Sequence, residues 1–279
     1  MTKFGYFLSG EELSGQQIVD GAQQAERVGF DRIWVSDHFH PWMSRQGQSP
    51  FVWTVLGGVA ATTRLHMTTA VTCPTFRIHP VILAQATATL ASMAPGRFSW
   101  GVGSGEALNE HILGDPWPPV SVRLARLEEA LEIVRKLWNG DVVTHQGQYF
   151  TVHNAKLWTR PESPPDILMS GFGPRSTQLA TRIADGWIAV RPDRDGMRTY
   201  REAGGRGRTQ AGVKICWAKS ASAAAETAYR LWGHEAAGGQ LSQDAPMWAG
   251  FEAIYISQMG PDQEGGIRFL ADEVLPLLS

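Results

Sequence analysis

Short apolar runs at positions 4–8, 32–36, 65–71, 97–102, 166–170, 186–190, 213–218 and 253–258 alternate with longer stretches of helical period, and that alternation leaves the chain few folds to adopt. Between the runs, apolar residues recur at spacings of three and four over 15–28, 51–62, 79–93, 122–138, 174–184, 221–232 and 265–278. A weaker helical pattern at 195–203, rich in glycine and arginine, fills the place after the sixth run. Repeated strand-then-helix units build a parallel sheet with crossover helices, and eight of them predict a closed (β/α)8 barrel. A 279-residue chain with 43% hydrophobic residues can bury one large core, so a single domain over 1–279 is expected, as in barrels of about 250 residues.

Two segments depart from the repeat. A glycine-centred turn between β-rich runs at 142–152 predicts a hairpin inserted after the fourth helix, serving either as a surface cover or as a substrate lid. The stretch 234–250 is Gly-, Ala- and Pro-containing with weak periodicity and is expected to be an irregular loop. It must supply the crossover into the eighth strand, since parallel neighbours need a connection of about a dozen residues or more.

Several function classes are disfavoured by composition. A formal net charge of -2 offers no basic field for nucleic acid, and no apolar run is long enough to span a bilayer. The first residues lack the basic stretch and apolar core of a secretory signal, which suggests a cytoplasmic protein. Cys73 and Cys216 are too few for a disulfide framework or a cysteine-rich metal site.

In a parallel barrel the loops leaving the strands' carboxyl ends converge on one face, where barrel enzymes hold their chemistry. The unusual polar residues fall on those loops: Ser9 and Glu11 after the first strand, Asp37, His38 and Trp42 after the second, Cys73 after the third, and Ser104, Glu106 and Asn109 after the fourth. Such convergence points to an enzyme with a small-molecule substrate. His38 is the candidate general base, because imidazole titrates near working pH. His40, two residues on, invites a metal reading, but no HExxH motif or further ligand set accompanies the pair and no metal is expected. Trp42 either packs on the rim or offers its indole N–H to developing negative charge. Glu106 either exchanges a proton with a ligand or caps a helix start, and Glu11 either orients His38 or is a surface carboxylate. After the fifth strand, Gly171-Phe-Gly-Pro-Arg-Ser176 leads into a helix with Pro174 in its first turn, leaving backbone N–H groups free for an anion such as phosphate.

The segments Ser36-Asp-His-Phe-His-Pro-Trp42, Cys73-Pro-Thr-Phe-Arg77, Gly101-Val-Gly-Ser-Gly-Glu-Ala-Leu-Asn-Glu110 and Gly171-Phe-Gly-Pro174, in this order, resemble the luciferase-like flavin and deazaflavin oxidoreductases. Within them, they resemble the branch related to F420-dependent glucose-6-phosphate dehydrogenase. The resemblance covers roughly 4–190. It implies a luciferase-like TIM barrel with coenzyme F420 in its mouth, and a non-prolyl cis peptide at Ala70-Val71. It also implies ring contacts from Asp37, Cys73, Ser104 and Asn109, with the coenzyme's phosphate held by Gly171, Phe172, Gly173 and Ser176. Hydride would pass between the ring's C5 and an alcohol, carbonyl or activated alkene. His38 would move the hydroxyl proton, Trp42 would stabilise the anion, and Glu106 would protonate the ring at N1. Relatives are commonly dimers, and the apolar 51–62 helix is a candidate interface.

Two departures stand out. Cys73 replaces a threonine of the sugar-phosphate enzymes, and Val190-Arg-Pro-Asp193 replaces a threonine and a lysine. Asp193 would repel a phosphate dianion, which argues against glucose 6-phosphate as substrate. Two rival readings are an FMN-dependent monooxygenase or reductase on the same fold and a catalytically silent flavin-binding barrel.

Overall fold

The computed structural model describes residues 2–236 and 252–277. In chain order its strands are β1 (Lys3–Leu8), β2 (Arg32–Val35), β3 (His66–Thr69), β4 (Phe98–Val102), β5 (Val143–Gln146), β6 (Thr151–Ala155), β7 (Asp166–Ser170), β8 (Gly186–Ala189), β9 (Arg208–Ile215) and β10 (Ala253–Gln258). The helices are α1 (Gly15–Arg27), α2 (Val52–Thr62), α3 (Pro80–Met93), α4 (Ala107–Glu110), α5 (Val120–Asn139), α6 (Pro174–Ile183), α7 (Arg194–Glu202), α8 (Ala221–Ala236) and α9 (Gln263–Phe269). Eight of the strands close a parallel barrel in the order β1-β10-β9-β8-β7-β4-β3-β2. The (β/α)8 expectation therefore holds. The eighth strand pairs in parallel with both β9 and β1; of the stretch expected to be irregular, 234–236 instead continue α8, which corrects that expectation, and 237–250 lie outside the described residues.

Alternation along the strands sorts residues into two layers. Ile33 and Val35 of β2 face outward into the large apolar layer under the helices. Trp34 faces inward. It stacks on Tyr255 of β10 at 4.3 Å between ring centroids and donates its indole N–H to Gln210 Oε1 of β9 at 2.7 Å. Neither strand is a neighbour of β2, so Trp34 crosses the lumen. Leu168, Ile188 and Ala253 pack with it, and Phe7, Ala70 and Val71 lie against them.

The helix starts follow local chemistry. Ser14 caps α1 by accepting from Gln17 N, while Gln17 Oε1 accepts from Ser14 N. Asp193 accepts from Gly196 N at the start of α7, so the residue expected to repel phosphate also caps a helix. The predicted hairpin forms from β5 and β6 and is fastened to the outside of α5, where Glu129 accepts from Tyr149 N, Phe150 N and the His145 ring. Two boundaries move. β9 begins at Arg208 rather than 213, and the helical run expected at 265–278 shortens to α9 followed by a π turn over Leu270–Val274 and a 3-10 turn over Leu275–Leu277. No helix among the described residues is long and apolar enough to cross a membrane.

Candidate active site

The loop after β2 carries His38 to the barrel mouth, where its two ring nitrogens meet different partners. Nε2 lies 3.5 Å from Glu11 Oε1 and 3.8 Å from Glu106 Oε2. Nδ1 lies 3.1 Å from Asn109 Nδ2 and 3.2 Å from the carbonyl oxygen of His40. These two contacts ask for opposite tautomers, since the Asn109 amide donates only to a bare Nδ1 and the carbonyl accepts only from Nδ1–H; in the second tautomer Nε2 presents a lone pair between the two carboxylates. Asn109 holds the loop in place, its Oδ1 accepting from Phe39 N at 2.8 Å and His40 N at 3.0 Å. The Trp42 ring sits 5.3 Å from the imidazole at 58° and stays 37% exposed.

Glu11 and Glu106 have opposite surroundings. Glu11 is buried, and its Oε2 accepts from Ser9 Oγ at 2.7 Å and Ser36 Oγ at 2.6 Å. Burial alone would push its carboxyl up, but the charge of His38 and the two hydroxyls outweigh it and hold the group below its ordinary value. Glu106 stands at the start of α4 without a side-chain cap bond, its side chain 44% exposed. Partial burial in the mouth pushes its carboxyl up, with Glu11 adding to the shift and His38 and Asn109 opposing it. Two carboxylates on one imidazole, one biased toward ionisation and one toward keeping its proton, are suited to acid–base work.

The Glu11 environment gives a prediction. Because its carboxyl sits below the ordinary 4.5, its stabilising contribution is in place above that value and is lost as pH falls through the lower folded value. Glu11→Gln should therefore melt below wild type at neutral pH, with the gap closing on acidification below 4.5. Calorimetry across that range checks it, and a gap that stays constant into acid would count against the assignment.

Behind the imidazole lies a buried ionic cluster that sequence reasoning did not single out. Arg77 Nη2 donates to Asp37 Oδ1 at 2.9 Å, and Arg77 N donates to Glu110 Oε2 at 3.0 Å. Among the described residues no donor reaches the buried Asp37 Oδ2. Arg77 and Glu110 were present in the quoted segments, but charged residues near a loop carry no sign of pairing until the fold is known. Cys73 is buried beside Thr75 Oγ1 at 3.2 Å; burial, with Glu110 adding, pushes its thiol up to about 12, so it stays protonated.

The peptide Ala70-Val71 is cis, at the position the resemblance indicated. It lies where β3 ends, with Thr72 N donating to Gly101 O and Gly103 N to Thr72 O. Ser104 follows on the same wall, half-buried. The Gly171–Ser176 turn leaves β7, three strands around the ring from β2. There Ser176 Oγ donates to Gly173 O at 2.9 Å and accepts from Gly173 N at 3.3 Å, Gly171 O accepts from the Trp187 indole at 3.4 Å, and Phe172 is exposed. The structure thus gathers Glu11, His38, Trp42, Glu106 and Asn109 into one cluster, sets Asp37 and Cys73 immediately behind it, and puts the α6 turn on a separate stretch of the rim.

The profile of the family described as luciferase-like monooxygenase matches residues 2–275. An F420-dependent glucose-6-phosphate dehydrogenase of Microbacterium testaceum is 44% identical over 189 residues, covering 67% of this chain and 56% of that protein. An F420-dependent hydroxymycolic acid dehydrogenase of Mycobacterium tuberculosis is 42% identical over 190 residues, covering 68% and 53%. The chain thus spans little more than half the length of the curated relatives it matches. Over its whole length it is similar to the solved structure of an F420-dependent secondary alcohol dehydrogenase in complex with an F420-acetone adduct, at 30% identity and a TM-score of 0.88, covering 100% of this chain and 99% of that one.

Proposed function

The chain belongs to the luciferase-like monooxygenase family, and from that membership together with the mouth geometry we propose that it is an F420-dependent oxidoreductase acting on an alcohol, carbonyl or activated alkene. The observation that carries the reading is His38 Nε2 held between Glu11 and Glu106. The residues fit a deazaflavin in two respects. Asp37 Oδ2 is a buried acceptor lacking a donor, which a ring N–H would satisfy. Gly101 and Gly103 let the β4 wall close on the backbone of Thr69 and the side chain of Val71, which fixes the Ala70-Val71 segment against which the ring would lie. Asp37, Ala70, Val71, Cys73, Ser104 and Asn109 would line the ring, and the first-turn N–H groups of α6, with Gly171, Phe172, Gly173 and Ser176, would hold the phosphate.

When bound, the coenzyme supplies a carbon that takes or gives hydride. His38 accepts the substrate hydroxyl proton at Nε2, where Glu11 and Glu106 face the positive charge it gains. Glu11, itself fixed by Ser9 and Ser36, sets the ring's orientation. Trp42 excludes water from one side of the imidazole and offers its indole face to the substrate. Glu106, whose carboxyl is pushed up by its partial burial, would exchange a proton within the mouth. Val190-Arg-Pro-Asp193 places a carboxylate after β8, which disfavours a phosphorylated sugar.

Titration against F420 and FMN, read by quenching of F420 fluorescence, tests the reading. Micromolar-range F420 binding without FMN binding is expected, and the reverse would assign the chain to the FMN-dependent enzymes.

The same reading includes a homodimer through α2 and α3, where Phe51, Ile82 and Met93 are exposed around Trp53. Ile82→Asp should convert a dimer to a monomer in sedimentation analysis. An unchanged sedimentation coefficient would remove that face from consideration.

A further inference from the structure

Arg123 and Arg126 lie three apart on α5, hence on one helix face, and each reaches across to a backbone carbonyl in a different loop of the mouth. Arg126 Nη2 donates to Thr75 O at 2.8 Å, in the loop that carries Cys73 and Arg77. Arg123 Nη1 donates to Gly105 O at 3.2 Å, the residue before Glu106. Aromatic rings hold both guanidinium planes. Arg126 lies 4.5 Å from the Phe76 centroid, 5.2 Å from Phe150 and 5.5 Å from Tyr149, and Arg123 lies 4.7 Å from Trp117. Phe76 and Trp117 are themselves in contact at 5.3 Å, so the two arginines and four rings form one continuous assembly. A planar cation that stacks and donates at once is a property of arginine that lysine lacks.

The two loops so fixed also touch each other. A Cβ on Gly105, whose φ is +80°, would fall 2.6 Å from Cys73 Sγ and 3.2 Å from Trp117, so the wall bearing Glu106 and the wall bearing Cys73 meet here without slack. From Thr75 the chain passes to Arg77, which grips Asp37 and Glu110, and from Gly105 it passes to Glu106 and Asn109, which grip His38. Phe150 and Tyr149 belong to the hairpin that Glu129 fastens to α5, so this assembly gives the hairpin an anchoring task that neither a passive cover nor a lid describes.

We infer that Arg123 and Arg126 are positioning residues, setting the distance between the Cys73 loop and the Glu106 loop, with the hairpin as their outer support. The inference rests on the proposed F420 site for its effect on binding, but its effect on the loops can be read without any coenzyme. Hydrogen–deuterium exchange on the apo protein and F420 titration would be applied to wild type, Arg123→Met, Arg126→Met and Arg135→Met, the last being an α5 residue that pairs with Asp185 away from the mouth.

Arg126→Met should speed exchange over 72–77 and Arg123→Met over 104–110, with Arg135→Met changing neither. Both mouth variants should weaken F420 binding by roughly ten-fold, the loss expected when about one well-made hydrogen bond to the ring is lost. Unchanged exchange in both loops would overturn the inference whatever F420 does. Faster exchange with unaltered F420 affinity would overturn it as well, leaving the pair purely structural. Faster exchange in a protein whose wild type binds no F420 would remove the cofactor reading while the loop assignment stands. If Arg126→Met fails to fold, Arg126→Lys, which keeps the charge and loses the planar stacking, is read by the same criteria.

Discussion

His38→Ala should leave F420 binding nearly unchanged while turnover of an alcohol substrate falls by about a hundred-fold to ten-thousand-fold, the span typical for removal of a positioned base. The two effects separate because the imidazole faces Glu11 and Glu106 through Nε2, whereas the Asp37 carboxylate is held by Arg77 and Asn109 keeps its grip on the Phe39 and His40 amides when the ring is gone. Removing the imidazole also leaves Glu11 Oε1 buried without its ionic partner, though Ser9 and Ser36 still serve Oε2. A modest loss of melting temperature should therefore accompany the loss of rate. Single-turnover kinetics alongside fluorescence titration would distinguish the outcomes, and near wild-type turnover would show that the base lies elsewhere.

Gly101→Ala should have the largest effect on stability. A Cβ at this position would lie 1.8 Å from Thr69 O and 3.0 Å from Thr69 C, both backbone atoms at the edge of the cis Ala70-Val71 segment, and neither can turn aside. Overpacking that only backbone movement can relieve should cost about 3 kcal/mol, the top of the usual range, so the variant should melt far below wild type or fail to accumulate. Gly103→Ala is the graded comparison. Its Cβ would meet the Val71 Cγ2 methyl at 2.8 Å, a side-chain atom that can rotate, and a smaller loss is expected. Thermal unfolding followed by circular dichroism compares them, and equal melting temperatures for Gly101→Ala and wild type would contradict this account of the wall.

The barrel was legible because its outward-facing strand residues are apolar and recur between helices of plain period. Where the inward face is polar, the signal failed. β9 starts with Arg208-Thr-Gln-Ala-Gly212, whose residues alternate between the lumen and the helix layer, so an apolar run becomes visible only at Val213. α4 escaped notice because four residues hold barely one turn, too short for any periodicity. In the site, His38, Trp42 and Glu106 could be picked out by residue type and by their places after strands. Ser36 could not: its hydroxyl links Gly10 N to Glu11, a relation between two loops 25 residues apart that exists only once β1 and β2 are paired. The same holds for Arg77, which satisfies charges on two other loops.

The indole of Trp34 fills the middle of the barrel, packed among Leu168, Ile188 and Ala253. It is fixed on both sides by Tyr255 and Gln210, and a Cβ on Gly212 would come within 2.9 Å of its ring. Nothing passes through so packed an interior, and a site at the mouth is reached from the mouth side alone. Ligands that share a site closed from below queue: whichever sits nearer the indole arrives first and departs last. Steady-state kinetics with two ligands should accordingly obey a compulsory order rather than a random one.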